Sequence, residues 1–296
     1  MIDRCCISLS NVCNLKCRYC HFREKQQEQS ELRENDLLHI TENIHAYCAK
    51  RNVSAFKLGI VGAGEPMLKK QLIFKLLKHI RKNAYTELKL YTITNGTLLS
   101  IEDLEEFYKY RDMIKLSFSL DGYRELHNYG RACYEKVMES IKLYETIFEK
   151  APAINATVNA ITISNKEKAA RFFMENNLLD VTFSKLVGYK NADLYISDKE
   201  FDDFMRYIKT TRINCRQFNE NPTYDCTMYG KLCGVGRTNI FIAPEGIYPC
   251  GRFYRNEQYR LGSYNDSFFD IEDRISALQP VEKGKCYYRC HVEGKE

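Results

Sequence analysis

Cys13, Cys17 and Cys20 stand at Cys-x3-Cys-x2-Cys spacing in the segment CNLKCRYCHF, directly after an apolar run. Three thiolates this close on one loop can hold three corners of a single 4Fe–4S cluster. The fourth iron is then left without a protein ligand nearby, and a cluster with one open iron can bind and activate something other than protein. A structural zinc site is the alternative, but its cysteines usually arrive as two close pairs. Here three fall on one loop, and His21, adjacent to Cys20, is the further donor on it.

Two other groups of residues could do chemistry. Gly62-Ala63-Gly64-Glu65-Pro66 combines glycines, which permit close backbone approach, with a carboxylate that favours a nearby ammonium. Near the end, Cys233, Cys250, Cys286 and Cys290 could supply a complete, closed shell for a second cluster or for a structural zinc ion.

The first cysteine loop resembles that of the radical S-adenosylmethionine (SAM) superfamily. The resemblance implies that SAM chelates the open iron through its amino and carboxylate groups. One electron then cleaves SAM to methionine and a 5′-deoxyadenosyl radical, which abstracts hydrogen from an unactivated C–H bond. Such cofactors carry the hard chemistry while the protein positions and shields it. Gly62, Gly64, Glu65 and Pro66 are similar to the family's Gly-Gly-Glu-Pro motif, which binds the amino group of SAM, with Ala63 replacing one glycine. The segments Thr94-Asn95-Gly96-Thr97-Leu98-Leu99 and Ser117-Phe118-Ser119-Leu120-Asp121-Gly122 resemble those of one branch, the peptide-modifying and related enzymes with an extra C-terminal cluster domain. The resemblance implies that Asn95, Ser119 and Asp121 help bind SAM and that Arg131 reaches its carboxylate; a solvated arginine at a helix start is the alternative for Arg131. Asn159 is expected to face the barrel and SAM, with a buried, hydrogen-bonded asparagine as the alternative.

The C-terminal cysteines resemble those of a Twitch domain, the shortened form of the SPASM domain. This implies one auxiliary 4Fe–4S cluster on Cys233, Cys250, Cys286 and Cys290, and Cys226 could substitute for one ligand. Some radical SAM epimerases use a thiol to return a hydrogen atom to the substrate radical, and Cys226 is the candidate for that role. Of the remaining cysteines, Cys48 reads as a small buried hydrophobe. Cys5 and Cys6 alternate on a strand, so one of them points inward.

These residues need a scaffold. Strand-like runs at Cys5–Leu9, Ala55–Val61, Leu88–Thr94, Met113–Ser119, Ala153–Ile163 and Val181–Val187 alternate with helical patterns, among them Asn35–Lys50, Gln71–Lys82 and Tyr134–Glu149. Ser100 with Asp103, and Ser164 with Glu167, read as capping boxes. Strict alternation predicts an α/β fold with a parallel sheet and right-handed crossovers. Six units are too few for a closed eight-unit barrel; a partial (β/α)6 TIM-like barrel fits, and the resemblance implies the same. Each motif falls at the C-terminal end of a strand, where parallel α/β folds place their sites. The alternation stops after Cys215, and Thr238–Ala243 with Ile247–Cys250 reads as a hairpin around Pro244-Glu245-Gly246. The expected division is a barrel over 1–190, a helical connector over 191–225 and a Twitch-type domain over 226–296.

Composition narrows the function. The chain has 296 residues with 44% hydrophobic content, enough for a sizeable core, and global disorder is not expected. No apolar run reaches membrane-spanning length and the N-terminus has no signal-peptide pattern. Thirteen cysteines in such a chain suggest metal or redox chemistry in the cytoplasm rather than disulfides. The net charge of +5 is interspersed, without the basic block expected of a nucleic-acid binder. The resemblance implies a substrate that is a ribosomally made peptide or protein side chain, to be epimerised, cross-linked or oxidised. Oxidation or epimerisation of a small molecule such as an aminoglycoside-type sugar is the alternative; an iron–sulfur electron carrier would need neither the open iron nor a SAM pocket. A reductant such as flavodoxin or ferredoxin is expected as a partner. The chain starts at its first strand, with no leader-binding winged-helix domain in front, so a peptide is expected to need a separate leader-binding protein or to dock directly.

Overall fold

The computed structural model describes residues 1–296 except 24–27, 187–192, 219–223, 230 and 294–296. The expected domain boundary at 190 and the end of the sixth predicted strand lie outside the described residues.

Six strand–helix units build the first two-thirds. Strand β1 (Arg4–Ile7) leads through the cysteine loop to helix α1 (Glu34–Arg51). Then follow β2 (Phe56–Ile60), α2 (Lys70–Asn83), β3 (Leu88–Thr94), α3 (Ile101–Lys109) and β4 (Ile114–Ser119). Next come α4 (Arg124–Gly130), α5 (Tyr134–Phe148), β5 (Ala153–Val158), α6 (Ala160–Ser164), α7 (Lys166–Glu175) and β6 (Val181–Lys185). Strands β1 to β6 lie side by side in chain order, all parallel. Their outward residues, such as Phe56, Leu58 and Ile60 on β2, are buried under the helices. Each such side chain contributes about 1.5–3 kcal/mol of transfer free energy.

Local chemistry sets the ends of these elements. Ser100 caps α3 with Asp103 in a reciprocal box, as its spacing predicts. Gly96, in the turn after β3, has φ of +76°, a conformation that suits glycine. The fifth strand is shorter than predicted. Asn159 accepts hydrogen bonds from the Ile161 and Thr162 amides, which turns residues 160–164 into α6. Ser164 therefore ends that helix and caps nothing; Asn165 occupies the N-cap position of α7.

The last third holds α8 (Asp198–Lys209), the two-residue strands β7 (Tyr224–Asp225) and β8 (Leu232–Cys233), the hairpin β9 (Asn239–Ala243) and β10 (Gly246–Tyr248), and α9 (Phe268–Ser276). The predicted hairpin forms, and β9 pairs in parallel with β1, with Cys6 opposite Phe241. The main sheet thus has eight strands in the order β10-β9-β1-β2-β3-β4-β5-β6. The free edge that six barrel strands would leave at β1 is covered, as edge strands generally must be.

Candidate active site

The cysteine loop folds down over the C-terminal ends of β1 to β4. Its backbone is fastened to the glycine motif: the Glu65 amide donates to the Val12 carbonyl at 2.9 Å. A Cβ on Gly64 would stand 2.3 Å from that same oxygen, so only glycine permits the contact. On the other side, the Arg18 amide donates to the Gly130 carbonyl at 2.9 Å. The Tyr19 ring packs where a Cβ on Gly130 would be. Asn14 receives the Asn95 side-chain amide at 2.9 Å, which ties the loop to the end of β3. These contacts bring Cys13, Cys17 and Cys20 together. Burial, against a lowering backbone hydrogen bond at Leu15 and with smaller contributions from Glu65, Cys17 and Cys20, raises the Cys13 thiol to about 11 in all. A thiol raised in this way becomes a thiolate when a metal takes the place of its proton.

The strand ends supply the facing wall. Glu65 is buried, and its carboxylate accepts from the Met67 amide (3.0 Å), the Thr94 hydroxyl (2.6 Å) and the Asn95 amide (2.8 Å). Burial raises its pKa while these hydrogen bonds hold it back. Pro66 starts a short 3-10 turn directly behind it and is buried. Gly62 lies against Ser8, whose hydroxyl accepts from the Ala63 amide. Ser119 ends β4 on the cavity wall.

Two residues do something other than the sequence suggests. The Asp121 carboxylate is directed at protein donors: Arg131 at 3.2 Å, the Thr157 amide at 2.9 Å and the Tyr19 hydroxyl. It supports Arg131, which is itself on the cavity wall. Arg131 is therefore not a solvated helix-start arginine; its side chain is 15% exposed, lies 5.3 Å from the Tyr19 ring and reaches the Thr157 hydroxyl. Asn159 spends its side-chain oxygen on capping α6 and is not among the residues lining the cavity. Its Nδ2 is buried and unbonded among the described residues.

The second group of thiols gathers around the β9–β10 hairpin. Cys233 ends β8, Cys250 follows β10, and Cys286 and Cys290 sit one helical turn apart, with the Cys290 amide bonded to the Cys286 carbonyl at 3.0 Å. Cys226, just after β7, joins them: burial raises its thiol well above the ordinary value, and Cys250 and Cys286 raise it further. Burial chiefly, with Cys286 and Cys233 and against a backbone hydrogen bond at Arg252, raises Cys250 to about 12 in all. Phe241, Phe253, Tyr254 and Tyr287 are buried in the same apolar cluster. Phe22, two residues after Cys20, stacks on Phe241 at 6.1 Å and meets Tyr254 edge-on, which joins the two cysteine regions. Among the described residues no three His, Cys, Asp or Glu side chains converge tightly enough for one metal ion.

One cavity of about 1320 Å³ reaches both groups of thiols. Its wall includes Cys13, Cys17 and Cys20 at one end and Cys226, Cys233, Cys250 and Cys286 on the side formed by the C-terminal third. The residues fit the cluster and SAM that the sequence resemblance implies. Three thiols share one loop, the glycine cradle lies flush against it, and Glu65 and Arg131 set opposite charges on the wall for an ammonium and a carboxylate. Cys6 is the member of the Cys5–Cys6 pair that points inward, with Sγ 3.3 Å from the Tyr91 hydroxyl. Tyr19, Asn14, Thr157 and Tyr91 escaped the sequence reading. Tyr91 alone had a signal, the alternation along β3; the others act through contacts between distant segments.

A family model described as "Radical SAM superfamily" matches residues 7–167. A cysteine-type anaerobic sulfatase-maturating enzyme of Clostridium perfringens is 26% identical, over 97% of this chain and 83% of its own length. A probable GTP 3′,8-cyclase of Methanocella arvoryzae is 30% identical, over 74% of this chain and 68% of its own length. Among solved structures, native anSMEcpe with bound AdoMet and Cp18Cys peptide superposes with a TM-score of 0.73 at 18% identity, covering 92% of this chain and 81% of that one.

Proposed function

We infer that this chain, which belongs to the radical SAM superfamily, removes hydrogen from a C–H bond of a ribosomally made peptide or protein side chain. It is an enzyme whose cofactors are SAM and a 4Fe–4S cluster. When bound, these supply a 5′-deoxyadenosyl radical, and an auxiliary cluster supplies a one-electron partner. The loop thiols Cys13, Cys17 and Cys20 hold the first cluster. Glu65 faces the amino group of SAM, Arg131 its carboxylate, and Asp121 keeps Arg131 in place. Gly62 and Gly64 let the backbone approach, while Ser119 and Asn95 line the pocket.

The observation that carries the reading is the shared cavity: both thiol groups stand on its wall, so a substrate between them touches both regions. The relative that matures sulfatases supports a peptide as that substrate. Four of the five C-terminal cysteines hold the auxiliary cluster. Cys226 stands on the cavity wall beside Cys250 and Cys286, a place that suits ligation and hydrogen donation alike. A flavodoxin- or ferredoxin-type protein supplies electrons, and the peptide docks directly or through a separate leader-binding protein. Among the described residues no helix is long and apolar enough to cross a membrane.

The small-molecule reading keeps one support, the similarity to a probable GTP 3′,8-cyclase. Product mass separates the peptide outcomes: oxidation or cross-linking removes two hydrogens from a peptide, whereas epimerisation leaves its mass unchanged.

A further inference from the structure

The inward faces of the strands carry a pattern that the chemistry described so far does not use. At the N-terminal ends of β1, β2 and β3, Arg4 pairs with Lys57 and Lys57 pairs with Lys89. Adjacent strands lie about 4.8 Å apart. Three cations therefore sit side by side in one layer, all on the cavity wall. Like charges directly opposite each other on a sheet are destabilising, so this layer calls for anions. Lys115 on β4, one pair further along, also lines the cavity, as do Lys231 and Arg252.

Within the described residues part of this charge is already met. Asp225 accepts from Arg4 at 3.2 Å and stands 3.6 Å from Lys57; Asp3 pairs with Arg4 at 3.0 Å, and Asp180 with Lys115 at 2.7 Å. Lys57 also lies 5.2 Å from the Tyr91 ring. Lys89 donates to the Thr86 carbonyl at 2.9 Å. Glu65 and Asp225 are the acidic side chains on the described cavity wall, and Glu65 is committed to its own three hydrogen bonds at the far end. The cavity thus has two electrically different ends. One end, at the strand C-termini, carries the balanced pair Glu65 and Arg131; the other, at the strand N-termini, is cationic.

We propose that the cationic layer of Arg4, Lys57 and Lys89 seats acidic side chains of the peptide substrate. This rests on the peptide reading above and adds which peptides are taken. The spacing is specific. From Lys89 to Asn95 is six residue steps along β3, about 20 Å at the rise of a strand. A residue reacting near the cysteine loop, with its acidic neighbour on the layer, is separated from it by about six residues of extended chain. The substrate carries its Asp or Glu side chains at that separation, and a neutral peptide of the same shape is taken poorly.

The test is binding to the full-length protein, with no turnover needed. Two labelled peptides differ in four positions, Glu in one and Gln in the other, at the fifth and sixth residues on either side of a central Cys. The Glu peptide is expected to bind roughly tenfold tighter at low salt and to lose that advantage when the Debye length falls to about 3 Å in 1 M salt. Lys57→Gln and Lys89→Gln are each expected to weaken the Glu peptide by roughly threefold or more. Lys78→Gln, on the exposed face of α2, leaves it unchanged. Equal binding of the two peptides overturns the acidic seat while leaving the peptide reading standing. Wild-type affinity in both lysine variants also overturns it. Inorganic triphosphate is the third probe. If it binds with the same lysine dependence while neither peptide binds, the layer serves a phosphate ligand, and the peptide reading fails with the acidic seat.

Discussion

Asp121 holds the guanidinium of Arg131 at 3.2 Å, and of the two it is the arginine that lines the cavity. The strand-end carboxylate acts through the arginine. It also receives the Tyr19 hydroxyl and the Thr157 amide, so one buried group braces the cysteine loop, β5 and the cavity wall together.

Replacing Asp121 with Asn is expected to leave Arg131 buried without its counter-charge, at a cost of about 3 kcal/mol. SAM affinity, measured by equilibrium binding to the reconstituted protein, should fall roughly tenfold because Arg131 loses its orientation. Iron at the loop site should remain. An Asp121→Asn protein with unchanged SAM affinity would show that Arg131 does not depend on its support.

Gly64→Ala is expected to displace the cysteine loop, because the new Cβ would lie 2.3 Å from the Val12 carbonyl oxygen. Overpacking of this kind costs about 1–3 kcal/mol. Iron content should drop by about half as the loop cluster is lost. Ala63→Gly, by contrast, restores the more common glycine and should change iron content little.

The five C-terminal cysteines invite a one-by-one replacement. The wild-type protein should hold about eight irons per chain after anaerobic reconstitution. Replacing Cys13, Cys17 and Cys20 together should remove half of them and abolish SAM cleavage. Among Cys226, Cys233, Cys250, Cys286 and Cys290, alanine at four positions should cost the auxiliary cluster and at the fifth should not. Full iron in Cys226→Ala, with SAM cleavage intact but little inverted product, would instead favour Cys226 as hydrogen donor.

Much of this arrangement could be read from the sequence because its signals are local. Cys13-x3-Cys17-x2-Cys20 falls on one loop, Asn95-Gly96 marks a turn, and Ser100 with Asp103 marks a helix start. The six strands follow from apolar patterning. The roles of Asp121 and Asn159 were not legible, since each depends on which backbone amides and side chains come within reach after folding. Nothing in the sequence near Asp121 announces Tyr19, 102 positions away. The β9–β1 pairing was hidden for the same reason: a strand pattern does not name its neighbour. The Arg4–Lys57–Lys89 layer needs the register of three strands, which only the assembled sheet supplies.

The central claim is that the cavity takes hydrogen from a peptide. Its most direct measurement is the mass of 5′-deoxyadenosine formed under anaerobic reduction with SAM and deuterated candidates. One reaction receives a pool of deuterated peptides from the producing cells, the other a pool of deuterated small metabolites. The account predicts 5′-deoxyadenosine one mass unit heavier with the peptides, and unlabelled 5′-deoxyadenosine with the metabolites. Deuterium arriving from the metabolites alone would contradict it.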